Sequence, residues 1–162
     1  MPERDIYIAI GSNIEPERHV PAAITDLDAA YGPLVCSTLY RCAPVGFAGP
    51  DFINCVVRGK TDLPLAPLRE HLKTMERLAG RDHSSRSAAR ELDLDLLLYG
   101  EEVIESEGFI VPRPDILDYA FVLRPLAEIA PEAMHPTTGR SFAWHWAHFE
   151  GEKVPLESVA LV

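Results

Sequence analysis

Apolar positions along the chain recur with two different periods. "DIYIAIG" at 5–11 reads as a strand that ends in a Gly-Ser-Asn turn. From about Glu17 to Tyr31 the period lengthens: Val20, Ile24 and Leu27 recur at helical spacing and Gly32 marks a stop, with Pro21 acceptable only in a first turn. Leu34 to Arg41 predicts a second strand, followed by the proline- and glycine-rich loop "CAPVGFAGP". Asp51 to Gly59 predicts a third. Leu65, Leu68, Leu72, Met75 and Leu78 make one stripe of a second helix, closed by Gly80. After the polar segment Arg81–Arg90, "LDLDLLLY" at 92–99 predicts a fourth strand, and a short one follows near Gly108–Val111. The C-terminal third is mostly helical, clearest at 121–130 despite Pro125.

The first hundred residues therefore read β-α-β-β-α-β. That order predicts an α+β, ferredoxin-like sheet with its helices on one face and a C-terminal strand and helix extension. No linker or repeat divides the chain, so residues 1–162 are expected to form a single domain.

Composition narrows the function classes. The chain carries 25 acidic against 15 basic residues, a formal charge of -10, which disfavours nucleic acid as a partner and leaves small-molecule substrates. No apolar stretch approaches the ~20 residues of a membrane span, and the N-terminus lacks a signal-peptide pattern. Three cysteines without a C-x-x-C pair fit free thiols, so a cytoplasmic location is expected, and a monomer.

The fourth strand carries the chemistry. Side chains alternate along a strand, so Asp93 and Asp95 share a face, their Cα atoms roughly 6.5 Å apart, while Leu92, Leu94 and Leu96 cover the other. Two adjacent carboxylates repel each other and are costly to bury without a counter-charge. Leu96, Leu97 and Leu98 make the strand look internal rather than an edge. Mg²⁺ suits such a pair, because it takes oxygen ligands, typically one or two carboxylates plus substrate phosphates. Just upstream, Arg81, His83, Arg86 and Arg90 crowd into ten residues, a basic loop able to bind phosphate and close over a nucleotide. Gly59-Lys60-Thr61 imitates the end of a P-loop, but Asn54 stands where that motif needs glycine. His145 and His148, flanking Trp146, read as part of an aromatic-rich terminal helix rather than a metal site.

"AIGSN" at 9–13, "YRCAPVG" at 40–46, "PDFINCVV" at 50–57, "GR" at 80–81, "RSAARELDLDLLLYG" at 86–100 and "FVLRPLAEIAP" at 121–131 occur in one order along the chain. In that order the chain resembles the 6-hydroxymethyl-7,8-dihydropterin pyrophosphokinases, down to about Pro136. The resemblance implies transfer of the β,γ-pyrophosphoryl group of ATP to the pterin hydroxymethyl, releasing AMP, in folate synthesis. It implies two Mg²⁺ ions on Asp93 and Asp95, and catalytic roles for Arg81 and Arg90. It places Phe52 and Phe121 around the pterin ring, Asn54 at its polar edge, and the Pro44-Val45-Gly46 loop along the pocket. ATP is expected to meet Arg81, His83, Arg86, Arg90 and Arg113.

The chain also departs from that pattern. Ser87 stands in place of an aromatic and Ala89 in place of proline; Arg113 replaces a histidine, and Tyr119 an arginine. Arg113 is therefore expected to stand in for both cations. The alternatives are a non-catalytic or substrate-shifted pterin-binding paralogue and another two-metal nucleotide enzyme.

Overall fold

A computed structural model describes residues 2–80, 91–106, 108–151 and 154–160. The elements are β1 (Arg4–Ser12), α1 (Pro16–Tyr31), β2 (Val35–Cys36), β3 (Leu39–Cys42), β4 (Phe52–Thr61), α2 (Leu65–Leu78), β5 (Asp93–Tyr99), β6 (Ile104–Ser106), β7 (Phe109–Val111), α3 (Asp115–Asp118), α4 (Ala120–Ile129), α5 (Phe142–Ala147) and β8 (Glu157–Val159). The fold is α+β. The main sheet has the order β5-β1-β4-β3-β8, with β2 also on β4, and every pairing is antiparallel. β6 and β7 form a separate hairpin.

Period-two alternation sends the two halves of each strand into different cores. Ile6, Ile8 and Ile10 of β1, with Ile53 and Val57 of β4, pack against Val20 and Leu27 of α1 and Leu68 and Leu72 of α2. Tyr7, Val56, Leu97 and Leu98 on the opposite face meet Ile116, Leu123, Leu126 and Phe142. The sheet thus lies between two helical layers. α1 and α2 share one face as the element order predicts, and the C-terminal helices cover the other. Full burial of a leucine such as Leu27 or Leu126 contributes about 1.5–3 kcal/mol relative to exposure.

Several local expectations are corrected. Pro21 sits inside α1, beyond its first turn. The second strand is interrupted between β2 and β3, where the Ser37 hydroxyl accepts the Val56 N–H at 2.9 Å in place of a strand carbonyl. β4 runs on through Lys60 and Thr61, two residues past its expected end at Gly59. β8 gave no apolar signal and adds to the sheet beside β3.

β5 is an edge strand, despite its apolar run. Its register against β1 slips between Tyr7/Leu98 and Ile8/Leu96, so Leu97 is the extra residue of a bulge. The bulge lets Leu97 and Leu98 both enter the second core. The outer edge is satisfied by other elements: the Arg113 N–H donates to Leu97 O at 2.9 Å, and Glu76 Oε2 of α2 accepts the Leu94 N–H at 2.8 Å.

Candidate active site

The site begins with a glycine between two functional side chains. Gly11 is the register partner of Asn54 on β4 and of Asp93 on β5. One step along β1, Ala9 is flanked by Val56 and Asp95. A row across the sheet therefore reads Asn54, Gly11, Asp93, with nothing larger than hydrogen in the middle. Over this row the C-terminal helical layer leaves a cavity of about 230 Å³. Phe52, Asn54, Asp93, Asp95 and Phe121 line it, with Pro44 and Val45 from the β3–β4 loop. Of the residues expected around a pterin, Gly46 alone does not line the cavity; it lies in the same loop at φ 86°.

The aromatic walls are themselves supported. Phe47 meets Phe52 edge-on, centroids 6.2 Å apart, and Tyr119 stacks on Phe121 at 5.1 Å and 25°. Such pairs hold a flat ring slot open without polar cost. Asn54, 8% exposed, donates from Nδ2 to Cys42 Sγ at 3.1 Å. Burial pushes the Cys42 thiol up to about 11, the Asn54 hydrogen bond working against that and Asp51 adding to it. Cys42 is accordingly a neutral wall residue, not a nucleophile.

Asp93 and Asp95 share the cavity face, as their spacing predicts, and both are half-buried. Asp95 Oδ1 lies 3.6 Å from Arg113 Nη2, and Asp115 Oδ2 lies 3.3 Å from Arg113 Nε on the other side. Beyond Asp95 a second cavity of about 150 Å³ opens, lined by Arg69, Lys73, Glu76, Phe109 and Arg113. There the Arg69 guanidinium lies over the Phe109 ring at 4.0 Å. Arg81, His83, Arg86 and Arg90 lie outside the described residues. His148 stacks on Trp144 at 4.1 Å and His145 shares a hydrogen bond with Thr138 Oγ1, so both belong to local packing of α5 and its flank.

Comparisons with known proteins place the chain in a family. The family model described as 7,8-dihydro-6-hydroxymethylpterin-pyrophosphokinase (HPPK) matches residues 7–131. The chain belongs to that family. It is 35% identical over 136 residues to a 2-amino-4-hydroxy-6-hydroxymethyldihydropteridine pyrophosphokinase of Haemophilus influenzae, covering 82% of this chain and 85% of the relative. A Bacillus subtilis protein of the same name is 38% identical over 136 residues, covering 82% and 81%. The folic acid synthesis protein fol1 of Pneumocystis carinii is 35% identical over 141 residues; the match covers 85% of this chain but only 19% of that larger protein.

The family match, residues 7–131, spans every residue singled out from the sequence for the site. Three further residues of the site were not. Phe47 was hidden in the loop composition. Asp115 gave no periodic signal, since α3 has only four residues. Glu76 did leave a trace: it falls four residues after Leu72, on the buried stripe of α2, where a charge is out of place.

Proposed function

We propose that the chain transfers the pyrophosphoryl group of ATP to the hydroxymethyl oxygen of 6-hydroxymethyl-7,8-dihydropterin. In that reaction the hydroxyl oxygen attacks the β-phosphorus and gives up its proton to water, the bond from the β-phosphorus to the α-phosphate oxygen breaks, and AMP leaves. The observation that carries the reading is the row Asn54–Gly11–Asp93 beneath the walls Phe52 and Phe121. A flat heteroaromatic fits between ring faces, an amide can both donate to and accept from its polar rim, and the carboxylates lie at the end where its substituent would emerge. The second cavity, with Arg69, Lys73 and Arg113, suits the nucleotide side of the reaction.

The donor set fits Mg²⁺. Among the described residues no group of three or more His, Cys, Asp or Glu side chains is arranged to hold an ion. Asp93 and Asp95 offer hard carboxylate oxygens, which suit a cation that shares its ligands with substrate phosphates and water. Asp93 and Asp95, one pleat apart on β5, would hold two such ions, the count we propose. Bound there, the ions would supply neutralisation of phosphate charge. The protein's own share is positioning: Asn54 and the phenylalanines fix the pterin, Arg113 faces phosphate, and Arg81 and Arg90 carry the cationic role expected of them. The β-α-β-β-α-β order, with β1 between β4 and β5, supports a ferredoxin-like assignment, and two cores sharing one sheet support a single domain.

The test is AMP release from ATP, Mg²⁺ and the reduced hydroxymethylpterin, with chelator as control. Pterin-dependent AMP that stops on chelation is expected. Pterin binding without AMP release would instead favour the non-catalytic paralogue.

A further inference from the structure

Arg113 lines the second cavity beside Asp95, which lines both, and its surroundings point to a task beyond binding phosphate. Its backbone is fastened to β5 through Leu97 O, so its Cα cannot drift from the strand that carries Asp95. Its side chain lies between two carboxylates, Asp95 at 3.6 Å and Asp115 at 3.3 Å. Neither distance reaches the 2.7–2.9 Å typical of a charge-assisted N–H···O bond. Arg113 Nε is buried yet makes no aligned hydrogen bond, and the side chain is 35% exposed. Charge holds the guanidinium there, rather than a locked fork.

Resting on the metal reading of Asp93 and Asp95, we infer that Arg113 is a built-in counter-cation for Asp95 that a divalent metal must displace. A divalent cation on Asp95 Oδ1 and a guanidinium 3.6 Å from that same oxygen would repel each other. Asp115, on the other side of Arg113, retains the displaced guanidinium at the cavity edge and acts as its positioning residue. A metal arriving alone loses affinity to this competition. A metal arriving with a polyphosphate does not, because the phosphate oxygens receive the freed guanidinium. Metal and nucleotide are thereby coupled, each favouring the other, with Arg113 as the link.

Manganese titrations by calorimetry test this, on the full chain, with and without a non-hydrolysable ATP analogue. Arg113→Gln is expected to bind Mn²⁺ alone about two- to five-fold tighter than wild type, the range of one partly exposed ion pair. The same variant should bind the analogue with metal more weakly, an opposite sign that general destabilisation does not produce. Arg113→Lys should fall between, since an ammonium cannot span both carboxylates. Lys73→Gln removes a cation from the same cavity and should leave Mn²⁺ affinity at the wild-type value. Equal Mn²⁺ affinity in wild type and Arg113→Gln overturns the counter-cation role, as does an equal gain in Lys73→Gln, which would mark a diffuse field. Undiminished Mn²⁺ binding in Asp95→Asn would sink the metal reading itself, and the counter-cation with it.

Discussion

A methyl group on Gly11 would lie 2.8 Å from Asn54 Oδ1, because the two residues are partners across β1 and β4 and the amide lies over the glycine. No real Cβ is tolerated so close, so Gly11→Ala must push the Asn54 amide off its place beside Cys42. The expected result is pterin binding weakened by about 1–3 kcal/mol, the cost of a buried polar group losing its partner, with ATP binding little changed. Calorimetry with each ligand checks it. Unaltered pterin affinity would show that the glycine does not protect the amide.

Asp93 stands opposite the same glycine from β5. Asp93→Asn should abolish AMP release while leaving the melting temperature within a few degrees of wild type, because the change removes one of two like charges on one face. Asp95→Asn should abolish AMP release as well, and it also takes an ion-pair partner from Arg113. Substantial turnover in Asp93→Asn would refute the carboxylate pair as the metal site.

The elements visible in the sequence were those whose own residues settle the period. The stripe from Leu65 to Leu78 reproduces α2, and "DIYIAIG" lies wholly within β1. What could not be read depends on distant chain. The run Leu96-Leu97-Leu98 suggested an internal strand, whereas β5 is an edge whose outer groups are met by Glu76 and Arg113. Its apolar character comes from helices on both faces and a bulge that repeats one facing, neither of which leaves a local mark. For the site, Asp93 and Asp95 were legible from spacing alone. Phe52, Asn54 and Phe121 came from the resemblance, and only the fold brings them to one cavity. Asp115 becomes meaningful only once Arg113 is seen beside it.

Tyr119 stacks on Phe121 and lines the cavity with it. Its ring should fix the orientation of that wall. Tyr119→Ala is expected to raise the KM for the pterin about two- to ten-fold, from an aromatic pair worth ~0.5–1.5 kcal/mol, with kcat much less affected. Tyr119→Phe keeps the ring and should stay near wild type. Steady-state kinetics on both variants decide the matter: a loss in the phenylalanine variant equal to that in alanine would assign the role to the hydroxyl instead.

Glu128 ties α4 to the segment around β3. Thr38 N and Oγ1 donate to its Oε2 at 2.9 and 2.7 Å, and the Tyr40 hydroxyl donates to Oε1 at 2.8 Å. Burial works to raise the Glu128 pKa, but the hydrogen bonds from Thr38 and Tyr40, helped by the charge of Arg124, outweigh it and hold the carboxyl below its ordinary value. A carboxyl lowered in the folded state binds its proton less readily there than in the unfolded chain. Its stabilisation is therefore complete above the unfolded value of about 4.3 and disappears as the pH falls through the lowered folded value. Solvent screening keeps the effect modest at this exposed position. Glu128→Gln should lower the urea midpoint at about pH 7, and the gap from wild type should narrow towards about pH 3 as Glu128 begins to take up its proton. Denaturation curves at the two pH values measure this directly. A gap that stays constant would mean that the hydrogen-bond geometry matters and the charge of Glu128 does not.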